Sequence, residues 1–236
     1  MINQSTKFLE ELFYSDEKGS YEIDEQIVQQ FISNPDFPWL ISFPRTGSHW
    51  LRMLMELYFE KPSLVRAFYF KDATDFTCYH RHDQECNEKC KNVIYLYRHP
   101  IDTIYSQLNY YKEDMCDYER IEFWTTLYAK HLVKWIFNEK FTDKKTIIIY
   151  EGLKENLSAE FEKICKHLNV YFDARRLATI AKHVSKNKLK EKTTYDPQVV
   201  NVSSTYQENR SFFKNQSGQY VLSIMFNVDS RLKNLF

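Results

Sequence analysis

Apolar residues in this chain fall into two kinds of pattern. Short continuous runs at 39–43 (Trp-Leu-Ile-Ser-Phe), 91–98 and 146–150 (Thr-Ile-Ile-Ile-Tyr) have the length and the branched or aromatic content of strands buried on both faces. Shorter runs near 65–70 and 76–79 predict further strands. Between them the period lengthens to that of a helix. Segments 7–13 and 24–32 are amphipathic, and after residue 47 Trp50, Leu51, Leu54, Met55, Leu57 and Tyr58 surround much of one helix, which predicts deep packing. Segment 99–110 carries Pro100 in its first turn and Ile101, Ile104, Tyr105 and Leu108 on one face. Long helical patterns follow at 121–138 and 159–168. Strands alternating with helices predict an α/β fold with three α/β/α layers around a central parallel sheet of about five strands. No low-complexity linker interrupts the 236 residues, so a single domain is expected: a helical extension over 1–36, a ligand-binding core over 37–156 and a helical and loop part over 157–236.

Where the run at 39–43 meets the next helix, the chain reads Phe43-Pro-Arg-Thr-Gly-Ser-His-Trp50. Pro44 turns the chain and Gly47 permits close approach of a ligand to the backbone. The amides of Thr46, Gly47, Ser48, His49 and Trp50 then open a helix with no earlier carbonyl to bond, which favours an anion. The nucleotide-triphosphate spacing G-x-x-x-x-G-K-[ST] is absent, since Gly47 stands alone and no Lys follows.

These residues resemble the 5′-phosphosulfate loop of sulfotransferases that use 3′-phosphoadenosine-5′-phosphosulfate (PAPS), in which the pattern is aromatic-Pro-Lys-Ser/Thr-Gly-Thr/Ser-x-Trp. Arg45 replaces the usual lysine. A second segment carries the same resemblance: the family binds the cofactor's 3′-phosphate through an Arg at a strand end and a Ser eight residues later, and Arg98 and Ser106 have that spacing. Ser106 lies away from the apolar face of its helix and is expected to meet the ligand. The resemblance implies a P-loop-NTPase-like fold, PAPS as co-substrate, 3′,5′-ADP as product, and Arg45 as a charge-stabilising catalytic group.

The family places a catalytic His at a strand end between these two motifs. Here Phe76-Thr-Cys-Tyr-His-Arg-His-Asp83 offers His80 and His82, two apart and so on one side of a strand. His82 is the preferred general base because Arg-His-Asp most resembles the family's Thr-His-Asp; the register that makes His80 the base stays open. A neutral imidazole suits proton removal near pH 7. The same region holds Cys86 and Cys90, but their spacing is not that of a zinc knuckle, and no metal is expected.

Tyr150-Glu-Gly-Leu-Lys-Glu-Asn156 resembles the family's Tyr-Glu-Asp-Leu-Lys-x-Asn segment, which implies that Tyr150 approaches the adenine. Beyond Asp173 the resemblance thins; the basic run 185–192 reads as a solvated face, and Arg210 and Lys214 are candidates for the family's C-terminal phosphate contact. Formal net charge is zero, so an anionic ligand has to be captured by local groups and nucleic acid is not an expected partner. Five cysteines form no disulfide framework, the opening residues are polar, and no window reaches the length of a membrane span; a soluble cytoplasmic protein is expected. The acceptor is a small molecule, a carbohydrate or a lipid alcohol, and the sequence specifies neither it nor the oligomeric state. A small-molecule kinase and a catalytically inactive nucleotide-binding protein of the same fold are the alternatives.

Overall fold

The computed structural model describes residues 21–70, 73–185 and 205–236. The predicted helix at 7–13 and nearly all of the basic run 185–192 lie outside them. The described elements are β1 (Tyr21–Glu22), α1 (Glu25–Ile32), β2 (Trp39–Ser42), α2 (Ser48–Phe59), β3 (Arg66–Ala67), β4 (Tyr79–Arg81), β5 (Asn92–Tyr97), α3 (Pro100–Tyr111), α4 (Tyr118–Leu132), β6 (Lys144–Ile149), α5 (Tyr150–Glu155), α6 (Leu157–His167), α7 (Ala174–His183) and α8 (Tyr206–Val228).

The main sheet among the described residues has four parallel strands in the order β4-β2-β5-β6, which bears out a parallel sheet of about five. Alternation of side chains along each strand builds two cores. Leu40, Ile94, Leu96 and Ile148 face α2, α5, α6 and α7, whereas Ile41, Val93, Tyr95 and Tyr97 face α3, α4 and α8. With β2 central, the chain leaves it toward β4 on one side and β5 on the other. That reversal opens a crevice at the carboxyl ends of the strands, where open α/β sheets bind ligands.

Two strands differ from expectation for a visible reason. The 65–70 run contributes only the two-residue β3, paired antiparallel with β1, because the amides of Phe68, Tyr69 and Phe70 donate to the buried carboxylate of Glu56 at 2.6–3.0 Å instead of to a strand. The run at 76–79 forms its strand later, at Tyr79–Arg81, which puts His80 inside the strand and His82 just past its end. The long helix predicted over 121–138 is α4 followed by one π turn, Val133–Phe137, where Lys134 and Trp135 converge on Asp83. No helix among the described residues is long and apolar enough to cross a membrane.

Candidate active site

Ser42 ends β2 and Phe43 follows it, both in full burial, and the chain then turns through a loop closed by Thr46, whose hydroxyl donates to the Phe43 carbonyl at 2.8 Å. Arg45 and Gly47 both have positive φ, 67° and 95°. Gly47 is the N-cap of α2, and no side chain caps the helix. The ring of Tyr150 lies so close that a Cβ on Gly47 would stand 2.5 Å from two of its carbons. Here glycine is required twice over, by conformation and by space.

Arg98 follows directly on β5, beside this loop. Its Nη1 donates to the Arg45 carbonyl at 3.2 Å and its guanidinium lies over the Tyr150 ring at 4.6 Å, while its buried Nε has no partner. Arg45 in turn sends its Nε to the Ser106 hydroxyl at 3.3 Å and lies over Tyr110 at 4.8 Å. The predicted Arg45, Arg98, Ser106 and Tyr150 therefore converge on one wall, and with Gly47, Ser48, His49, Trp50, His82 and Arg210 they line a single cleft of about 840 Å³. Ser106 is more enclosed than its helical position predicts, because it is buried against Arg45. Thr46, wholly buried, serves the loop from behind. Arg210 reaches the cleft from α8, held by a two-pronged pairing of its Nε and Nη2 with Asp102 at 2.6 Å each; Lys214 is exposed outside the cleft.

The two candidate bases differ in their ring partners. His82 Nδ1 lies 2.9 Å from the Ser42 carbonyl, which can only accept, so Nδ1 carries the proton and Nε2 keeps its lone pair. His80 has both nitrogens engaged: Nδ1 faces Arg52 Nη1 at 3.4 Å and Nε2 faces the Ser42 hydroxyl at 3.2 Å. Burial lowers the His82 pKa to about 4 and holds His80 well below the usual imidazole range. Both are neutral near pH 7, and only His82 lines the large cleft.

His82 is also held through its backbone. His131, buried in α4, donates from Nε2 to the His82 carbonyl at 2.8 Å and accepts at Nδ1 from the Tyr95 hydroxyl at 2.9 Å. The next residue, Asp83, accepts from Lys134 Nζ and Trp135 Nε1 through one oxygen and from the amides of Asn87 and Glu88 through the other. A second cleft of about 530 Å³ opens on the far side of His82 and shares His49, His82 and Gln84 with the first. The arrangement is one chamber lined by cationic and backbone donors, a second chamber beside it, and a neutral imidazole on the boundary.

Several cleft residues were not among those predicted from the sequence. Gln107 is wholly buried with neither side-chain amide atom partnered, and Asp102, Tyr110, Glu151, Lys154 and Tyr206 join the lining from three different helices. Among the described residues no group of three or more His, Cys, Asp or Glu side chains is arranged to hold a metal.

Comparison with known proteins bears on the family and the fold. The sulfotransferase domain family matches residues 76–234, a range that begins after the Arg45 loop. No curated protein sequence matches the chain. Among solved structures, mouse sulfotransferase SULT7A1 complexed with PAP aligns over 88% of this chain and 94% of its own at 16% identity, with a TM-score of 0.53. Retinol dehydratase, solved with androsterone and inactive cofactor PAP, aligns over 94% and 95% at 11% identity, with a TM-score of 0.54.

Proposed function

Because the chain belongs to the sulfotransferase domain family, we propose that it moves a sulfuryl group from PAPS to a hydroxyl or amine of an acceptor and releases 3′,5′-ADP. The observation that carries this reading is the convergence of the Gly47 loop, Arg98 and Ser106 on one cleft whose boundary is His82. The fit to a nucleotide bearing two phosphate sites rests on unfilled features: an uncapped helix start, an unpartnered Arg98 Nε and an unpartnered Gln107 amide. Both aligned structures were solved with PAP, which supports the same nucleotide.

In this reading the 5′-phosphosulfate sits on the loop amides of Thr46 to Trp50, the 3′-phosphate on Arg98, Ser106 and Arg210, and the adenine near Tyr150. PAPS supplies the sulfuryl group. His82 Nε2 takes the acceptor proton as the acceptor oxygen or nitrogen forms its bond to sulfur, and the bond from sulfur to the bridging phosphate oxygen breaks. Arg45 and the loop amides stabilise the charge that grows on that oxygen by preorganised donation. A guanidinium with a pKa above about 12 does not give up its proton, so Arg45 acts by charge and hydrogen bonding. His80, tied to Arg52 and Ser42, serves as support. All five cysteines are free thiols, in keeping with a cytoplasmic setting.

The test is incubation with labelled PAPS and a panel of phenols, sugars and lipid alcohols, without magnesium. Label transfer is expected, and His82→Ala should lower turnover by about 10²–10⁴-fold while His80→Ala retains more. Magnesium-dependent phosphate transfer from ATP, with no sulfation, would overturn the reading.

A further inference from the structure

His49, His82 and Gln84 line both clefts, and the first of them has a side chain that the proposed reaction leaves without a task. His49 is the second residue of α2, directly after Ser48 and two past the Gly47 cap. Side chains on a helix lean toward its N-terminus, so an imidazole at this position leans over the helix start, where the loop amides open to a ligand.

The three imidazoles near this boundary are engaged to different degrees. Both nitrogens of His80 are occupied, by Arg52 and Ser42, and His82 gives its Nδ1 proton to the Ser42 carbonyl. Among the described residues neither ring nitrogen of His49 has a hydrogen-bond partner. The ring is part-exposed and is oriented instead by an edge contact with Phe68, the centroids 5.8 Å apart and the planes at 86°. Phe68 is fixed in turn, since its amide donates to the buried Glu56 carboxylate at 2.9–3.0 Å and its ring carries the Arg52 guanidinium at 5.0 Å. Burial chiefly, with the charges of Arg52 and Arg66, holds the His49 pKa well below the usual imidazole range, so near pH 7 the ring is neutral and carries one N–H. Protonated by a bound anion it would carry two, so in either state it can donate.

We propose that His49 is a further catalytic residue: its ring N–H donates to a non-bridging oxygen of the sulfuryl group and holds that group in line between the bridging phosphate oxygen and the acceptor. The proposal rests on the sulfotransferase reading, which seats the phosphosulfate on the loop amides of Thr46 to Trp50, the His49 amide among them. A residue whose amide holds the ligand carries its own side chain to the same end of that ligand. The sulfuryl oxygens can only accept, and of the two available histidines only His49 has a ring proton to give. His82 keeps the lone pair that takes the acceptor proton. No bond to His49 forms or breaks and its proton stays in place; its contribution is alignment of the group that moves.

The test compares PAPS with 3′,5′-ADP, which differ by the sulfuryl group alone, in calorimetric titrations of the full-length protein without acceptor. His49→Ala should weaken PAPS about 10-fold or more, the scale for a hydrogen bond to a charged group, and leave 3′,5′-ADP within about 2-fold. The amide nitrogens of Asn and Gln stand near the Nδ1 and Nε2 positions of the ring, so His49→Asn or His49→Gln should recover most of the loss, and the one that does identifies the donating nitrogen. A second measurement needs no variant: in the wild-type protein the ring N–H of His49 should exchange slowly with solvent when PAPS is bound and rapidly when 3′,5′-ADP is bound. Wild-type PAPS affinity in His49→Ala, equal weakening of both nucleotides, a loss that neither amide recovers, or the same exchange rate with both nucleotides overturns the proposal. Failure of the wild-type protein to bind either nucleotide would instead bring down the sulfotransferase reading itself.

Discussion

His131 Nε2 donates to the carbonyl of His82 at 2.8 Å. Through that bond a wholly buried residue fixes the backbone that carries the proposed base. Because the donor acts on the main chain, its loss should leave His82 chemically intact but less well placed. His131→Leu is expected to lower kcat about 10-fold, the scale for losing a bond to a buried acceptor, with 3′,5′-ADP affinity unchanged. His131→Gln, which can still donate, should restore part of the loss. Equal falls in kcat and nucleotide affinity would mark His131 as a general stabiliser only.

The protonation of His82 gives a pH signature. Its pKa is lowered to about 4, chiefly by burial, so the base stays neutral well below pH 7 and is lost only as pH falls toward that value. Bound phosphates favour the imidazolium and raise the pKa. The acid limb of kcat/KM for PAPS, which reports the free enzyme, should therefore lie below that of kcat, which reports the bound form. A limb near pH 6.5 in both, the unperturbed value for histidine, would contradict the environment described for His82.

Stability should follow the same groups. His49 and His80 are held well below the usual range, His82 and His167 at about 4 and His131 at about 3, in each case mainly by burial. An unfolded chain takes up these protons from about pH 6.5 downward while the folded protein does not, so stability present above that pH is lost as pH falls toward about 4. Each histidine contributes a slope of about 1.4 kcal/mol per pH unit within that window. Urea midpoints of the ligand-free protein should be level above pH 7 and decline steeply below 6.5; a level profile down to pH 4.5 would show that these rings titrate normally when folded.

Gly47→Ala tests the loop by size and by backbone conformation together. The added methyl would meet the Tyr150 ring at 2.5 Å on a backbone at φ 95°. Tyr150 must move, and with it the surface over which Arg98 lies. Binding of 3′,5′-ADP should weaken about 10-fold or more and the unfolding midpoint should fall as well, since alanine is strained at this φ and Tyr150 packs against one core. Wild-type affinity in this variant would remove the loop from the binding site.

The layered fold was legible because β2, β5 and β6 are continuous apolar runs whose alternation sorts residues such as Leu40 and Ile41 onto opposite cores. Arg98 and Ser106 were legible because strand-to-helix turns at sheet ends leave short, ordered motifs. Other features depend on contacts distant in sequence. The strand expected at 65–70 yields to the Glu56 carboxylate, an interaction no periodicity encodes. His82 separates from His80 only through Ser42, forty residues earlier, and His131, forty-nine later. Gln107 and Asp102 enter the cleft because α3 packs where it does.

The central claim is that the Arg98 wall recognises a 3′-phosphate on an adenine nucleotide. Calorimetric titration of wild-type and Arg98→Ala protein with 3′,5′-ADP, 5′-AMP and ATP, with and without magnesium, tests it most directly. The wild-type protein should bind 3′,5′-ADP without magnesium and in preference to the other two, and Arg98→Ala should weaken 3′,5′-ADP by roughly 1.5–3 kcal/mol, the range for a charged hydrogen bond, while barely changing 5′-AMP. Equal weakening of both nucleotides, or tighter magnesium-dependent binding of ATP, would contradict the account.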